Sequence, residues 1–318
     1  MKNILFKVEQ RESWNLLTDS FEVRIVRKKI MNVKYKKHKL IITADDYGMC
    51  SIVDKAIEDC ARAGLLSTTN VIVNQGDYSN AKNLKKSFPN LSVGLHWNVT
   101  DGKPLNPYNE VSSLVNPDTG EFWGVAEFIS KFNKGLISKE ELRKELLSQY
   151  NAFRNVCGEP DYWNSHMNSS LDFKTFHFFN SLAIELGMIK TRSFRRVYIQ
   201  PIGLKGGINR LREFAKRLVL DCWFGYQIPK TGTRMPDGKM THFNSSDKTI
   251  DIKNIDKNVM WGNKDIVELV IHPSISPNHH NFGTLTTIRV DEWKMFSNPV
   301  TKEYLQTQNI DIVNFDVI

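Results

Sequence analysis

Residues 40–48 read Leu-Ile-Ile-Thr-Ala-Asp-Asp-Tyr-Gly, an apolar run that ends in two adjacent carboxylates and a glycine. A strand tip has no packing use for paired acids, because like charges side by side repel and desolvate badly. A cation held there explains them, with one acid as its ligand and the other left as a base. The plainer use is a helix N-cap, since Asp46 or Ser51 could cap the pattern that follows. Three histidines favour the cation, because His96, His166 and His272 each follow a short apolar run, as Asp45 and Asp46 do. If those runs are parallel strands, their C-terminal ends converge on one mouth where residues distant in sequence meet. Two imidazoles and a carboxylate make a three-ligand site with open positions, suited to zinc or a related divalent ion that activates water.

The elements that must carry these residues alternate between short apolar runs and amphipathic stretches. Strands are expected over 40–44, 69–73, 91–95, 162–164 and 269–271, and helices over 52–63, 78–87, 139–156, 173–186 and 209–219. That alternation predicts an α/β fold, a TIM-barrel-like (β/α) barrel with loop insertions. Ser138 and Glu141 form a capping box for the long helix, and Gly158-Glu159-Pro160 closes it. Residues 223–256 carry Gly225, Pro229, Gly232, Pro236 and Gly238 with little period, which predicts a long loop or small insertion.

The chain has 318 residues and a formal charge of +8. Residues 1–39 hold 11 Lys and Arg against 4 Asp and Glu, while the remainder is nearly balanced at 32 against 31. The basicity is therefore local, and a neutral body argues against a nucleic-acid binder. Residues 1–38 are expected to be a basic extension, with one domain over 39–318; Met31 sits just ahead of the first strand. No apolar run approaches the ~20 residues of a membrane span, and residues 1–9 lack a signal-peptide core, so a cytoplasmic protein is expected. Cys50, Cys60, Cys157 and Cys222 show no Cys-x-x-Cys pair and are expected to be free thiols. His177, His242, His279 and His280 lack a strand-end position and carry little weight.

Four segments carry a resemblance: Ile-Thr-Ala-Asp-Asp-Tyr-Gly at 42–48, the stretch from Val93-Gly94-Leu95-His96 through Gly102-Lys103-Pro104-Leu105, Asn164-Ser165-His166, and Glu268 through His272-Pro273. Together they resemble the YdjC-like carbohydrate deacetylases, the group that includes chitooligosaccharide deacetylase. The resemblance implies one divalent metal ion, Mg2+ or Zn2+, held by Asp46, His96 and His166. It makes Asp45 the general base and His272 the general acid in removing an acetyl group from an N-acetylated amino sugar or oligosaccharide. The acid role also suits a histidine that titrates near working pH and stays protonated when a carboxylate does not.

The family usually reads Asp-Ser/Gly-His-x-His-x-His around the third ligand, whereas this chain has Asn164, Asn168 and Ser170 at three of those positions. If an acid at 164 orients a ligand, its loss weakens metal binding by about 10- to 100-fold. Asn168 is a candidate for facing the sugar. Among Trp97, Trp123, Trp163, Trp223 and Trp261, Trp97 directly follows a ligand and is expected to line the site, while Arg192 is expected to contact Asp45 or substrate. Two alternatives stay open: a catalytically impaired sugar-binding or regulatory homologue, and a deacetylase of nucleotide- or lipid-linked sugars in surface-polysaccharide assembly. The expected partners are a small carbohydrate and, as an open option, a second copy of the chain. Because the charge excess and the irregular pattern both stop at residue 39, a chain started at Met31 is expected to fold and to keep its activity per molecule. Insolubility, or a folded but inactive product, in expression and circular-dichroism trials would contradict that boundary.

Overall fold

Among the described residues, seven strands form one sheet: β1 His38–Tyr47, β2 Thr68–Val71, β3 Ser92–Trp97, β4 Trp163–Ser165, β5 Gly238–Thr241, β6 Ile266–Ile271 and β7 Ile310–Ile312. The order is β4-β3-β2-β1-β6-β5, with β7 also paired to β1. The pairs along that order are parallel, so the C-terminal ends of β1 to β6 point the same way. The computed structural model describes residues 37–195, 230–241, 264–279, 282 and 286–318, with isolated positions between 215 and 228. Residues 1–36, most of the helix expected over 209–219, and Trp261, His242 and His280 lie outside them.

Beyond β4, the backbone bridges continue the ring. Trp163 bridges Thr191 and Lys190 bridges Arg234, both parallel, and the Lys239 N–H donates to the Arg195 carbonyl. Residues 189–195 thus stand as an irregular stave between β4 and β5, and β5 returns to β6. This is the expected α/β barrel, but β5 corrects the expectation of a loop over 223–256. The segment Gly-Lys-Met-Thr has no apolar run of its own, and its pairing with Val267–Val270 makes it a strand.

Seven helices among the described residues pack outside: α1 Ser51–Arg62, α2 Leu84–Ser87, α3 Val125–Asn133, α4 Lys139–Cys157, α5 Phe173–Glu185, α6 Thr286–Phe296 and α7 Pro299–Thr307. The 78–87 stretch divides into a 3-10 turn, Ser79–Asn83, and α2. Half of the capping box forms at α4, where the Glu141 N–H donates to Ser138, while the Glu141 carboxylate accepts from the Ser113 N–H. None of these helices is long and apolar enough to cross a membrane. Cys50, Cys60, Cys157 and Cys222 are free thiols.

Side-chain alternation sorts the strands into two environments. Leu40, Ile42, Ala44, Val93, Leu95, Trp163, Val267, Leu269 and Ile271 belong to the main core beneath the helices. Ile41, Tyr162 and Phe315 form a second, smaller cluster on the other face, with the Tyr162 and Phe315 rings stacked 4.0 Å apart. Above that plug the inward residues are polar: Thr43 donates to Glu268, and Thr68 donates to the Tyr162 hydroxyl. The barrel is therefore sealed by aromatic rings at one level and lined by hydrogen-bonding groups at the next. Gly94 makes room for the seal, since a Cβ there would lie 2.5 Å from the Tyr162 ring. Gly94→Ala is expected to cost about 1–3 kcal/mol through overpacking, read as a lowered Tm; an unchanged Tm would mean that Tyr162 is not held against that backbone.

Candidate active site

Asp45 and Asp46 are the last inward residues of β1, and a regular strand would send them to opposite faces. The β1–β2 register shifts between Ala44 and Tyr47, and Asp46 has φ 76°, in the left-handed region that few non-glycine residues adopt. This irregularity turns both acids into the mouth, where their residues are only 3% and 1% exposed. Gly48 completes the turn at φ 89°, with no room for a Cβ beneath the Ile72 carbonyl. Asp45, Asp46 and His96 thus lie on the strands themselves, because β1 and β3 run three and two residues further than expected, while His166 and His272 follow β4 and β6.

The expected metal set is brought together. Asp46 Oδ1 lies 3.2 Å from His166 Nδ1 and 3.4 Å from His96 Nε2, and the two ring nitrogens are 3.2 Å apart. Tetrahedral ligands at zinc bond lengths stand about 3.4 Å apart, so this triangle of one carboxylate and two imidazoles fits a single divalent ion. These are the three residues that group as a candidate metal cluster among the described residues. The outward nitrogens have their own neighbours: His96 Nδ1 meets the Asn164 side chain at 2.5 Å, and His166 Nε2 faces Asp101 Oδ2 at 3.9 Å. Asp101 is in turn held by Gln75.

Each aspartate has its own guanidinium. Arg192 forms a bidentate pair with Asp45 at 2.7 and 2.6 Å and also donates to Glu268, while Arg289 on α6 donates to Asp46 Oδ2 at 3.0 Å. Asn70 adds a 2.6 Å bond to Asp45 Oδ1. Burial alone would raise the pKa of both acids, but Arg192 holds Asp45 far below the ordinary range. Asp46 is also held well below that range, by His166, His96 and Arg289. Burial likewise opposes charge on His166, yet the Asp46 carboxylate keeps its pKa above the ordinary value.

His272 Nε2 lies 3.7 Å from Asp45 Oδ2, and its backbone N–H donates to Glu292. Burial is the largest influence on its ring and outweighs the nearby carboxylates, with Arg289 and Arg192 acting in the same direction, so its pKa falls to about 4. This corrects the expectation of a histidine protonated near neutral pH. A metal ion close by would push the pKa further down.

Trp97 does not line the site. It points away from His96 by strand alternation, is fully buried against Trp163 and Phe179, and donates its indole N–H to the Leu146 carbonyl. Arg192 reaches Asp45, as one of its two expected uses required, and at 5% exposure with both neighbouring acids engaged it presents nothing to a substrate. Asn168 is exposed beside the mouth at φ 55° and accepts from Lys239 Nζ. Ser170 is turned inward and bonded to Ser165.

Asn70, Asp101, Glu268, Arg289 and Glu292 are site residues that the sequence reading missed. Glu268 had a signal, an acid within the apolar run 266–271. Arg289 and Glu292 sit three apart on α6 and so share a face, but a charged pair at that spacing reads as solvent-facing, and only the packing of the helix turns it inward.

The fold and site together define an α/β barrel with a metal-type ligand triad at its C-terminal mouth. The family model of YdjC-like proteins matches residues 39–307, and the chain belongs to that family. A carbohydrate deacetylase of Danio rerio is 30% identical over 63% of this chain and 64% of its own length. A chitooligosaccharide deacetylase of Proteus mirabilis (strain HI4320) is 36% identical over 41% of this chain and 49% of its own. The chain thus spans less than two thirds of the length of these relatives. A solved structure from Enterococcus faecalis V583, provisionally described as a cellobiose-phosphate cleavage protein, superposes with a TM-score of 0.66 at 21% identity, over 88% of this chain and 98% of that one.

With its folded-state pKa depressed from 6.5 to about 4, neutral His272 contributes stability that is present above about pH 6.5 and lost as pH falls through about 4. An NMR titration of the ring is expected to show it neutral at pH 6. A midpoint near 6.5 would mean that the ring is hydrated rather than buried.

Proposed function

We propose that this protein is a metal-dependent hydrolase that removes an acetyl group from an N-acetylated amino sugar or oligosaccharide. The observation that carries this reading is the Asp46–His96–His166 triangle standing beside the Asp45–His272 pair. The family membership and the names of the relatives support the same chemistry. A divalent ion held by Asp46, His96 and His166, Mg2+ or Zn2+, would supply a Lewis acid for the amide carbonyl and a more acidic water.

The protein's own residues would manage the proton. Arg192 keeps Asp45 ionised and occupies both its oxygens from one side, and Oδ2 is the one that faces His272. The water's proton passes to this pair as the water attacks, and His272 Nε2 hands it to the departing nitrogen. One proton is enough: hydrolysis moves it from water to the amine, so His272 does not have to start protonated. Its depressed pKa suits a residue that receives a proton within the cycle and releases it readily. Arg192 is accordingly a positioning residue, and Asn168 is the polar side chain we assign to the sugar. The same reading places the enzyme in the cytoplasm, with residues 1–38 outside the catalytic domain.

A catalytically impaired homologue is the second reading, and the Asn164 contact to His96 is the observation that favours it. Replacing Asp46, His96 or His166 with Ala is expected to strip the metal. Asp45→Asn and His272→Ala should keep the metal yet lose about 10²- to 10⁴-fold in turnover. Acetate release from N-acetylglucosamine oligosaccharides, measured together with metal content, checks both expectations. Metal retained in all three ligand variants would defeat the site, and metal-loaded parent protein that releases no acetate from any N-acetyl sugar would favour the impaired homologue.

A further inference from the structure

We infer that Asn164 opposes metal binding by selecting the wrong ring tautomer of His96, so that the site holds a divalent ion more weakly than its ligand triangle allows. The inference rests on the metal reading above and concerns a residue that touches no substrate.

The Asn164 amide is a buried group with one accepting and one donating end. One end meets His96 Nδ1 at 2.5 Å. The other end meets only donors: the Asn70 amide nitrogen at 2.9 Å and the Arg192 guanidinium at 3.1 and 3.3 Å. Arg192 cannot supply a lone pair, and Asn70 already commits its oxygen to the Asp46 N–H at 3.4 Å and its nitrogen to Asp45. The orientation that satisfies every partner therefore directs the amide oxygen at Asn70 and Arg192 and the amide nitrogen at His96.

That orientation has a consequence on the far side of the imidazole. A ring nitrogen that accepts from the amide carries no hydrogen, so the hydrogen of a neutral His96 sits on Nε2. Nε2 is the atom in the ligand triangle, 3.4 Å from Asp46 Oδ1 and 3.2 Å from His166 Nδ1, and its N–H would point into the place of the ion. A metal needs that nitrogen bare, which moves the hydrogen to Nδ1 and obliges Asn164 to present its oxygen there. The amide nitrogen is then forced against Asn70 and Arg192, donor against donors, with no water-exposed route out at 3% exposure. Binding an ion at His96 thus breaks a satisfied buried network. A carboxylate at 164 would accept on both sides at once and remove the conflict.

The test needs no substrate. Proton-detected 15N spectra of the metal-free parent are expected to show His96 as the Nε2–H tautomer, converting to Nδ1–H as Zn2+ is added. In Asn164→Asp the Nδ1–H form is expected before any metal is present. Zn2+ affinity, measured by competition with a chromophoric chelator, is expected to be about 10- to 100-fold tighter in Asn164→Asp than in the parent. Nδ1–H in the metal-free parent overturns the inference by a measurement that does not depend on how the variant folds. Equal Zn2+ affinity in the two proteins also overturns it while leaving the metal reading intact. Zn2+ binding by neither protein overturns both.

Discussion

The structure depends on keeping two consecutive carboxylates buried on the same side of one strand. At ~4 Å and an effective dielectric of about 20, two like unit charges repel by about 4 kcal/mol, and removing each from water costs several more. Asp45 and Asp46 bear this because each has its own guanidinium, Arg192 for the first and Arg289 for the second. Arg192 comes from the irregular stave at 189–195 and Arg289 from α6, so the compensation is gathered from elements far apart in the chain. Removing one member of such a buried pair leaves its partner's charge uncompensated.

The two pairs are not equivalent. Arg192 engages both oxygens of Asp45 and is itself anchored by Glu268 within the barrel, which fixes that carboxylate as an ionised, oriented group beside His272. Arg289 engages only Asp46 Oδ2, leaving Oδ1 for the imidazoles. Adjacent residues of the same type are thereby given different uses by where their cations come from. The bulge in β1 is the backbone condition for both, because it sends side chains 45 and 46 to the same side.

Around this centre the barrel changes character from one layer to the next. Tyr162 and Phe315 close the lower level with apolar rings, and the level above is a hydrogen-bonded lining in which Thr43, Thr68, Asn70, Asn164 and Glu268 pair with one another or with the site. Such a lining transmits polarity. The donor or acceptor sense of one amide sets the proton position on the far nitrogen of an imidazole, which gives one buried residue leverage over the site without touching substrate.

Much of the site was legible in the chain because apolar runs report buried parallel strands, and the residues at their ends report a shared mouth. The meeting of Asp45, Asp46, His96, His166 and His272 at one mouth was expected that way, and so was the barrel class. Local periodicity says which residues are buried but not against what. Adjacency to a ligand placed Trp97 in the site, although alternation from His96 sends it into the helix layer, and the lack of a period left Gly238–Thr241 as loop, since only pairing with β6 makes that segment a strand. The guanidinium partners, the bulge that aligns the two acids and the depressed pKa of His272 were decided by tertiary structure alone. Each depends on groups brought together across the barrel from distant parts of the chain, and no local pattern encodes the distance between them.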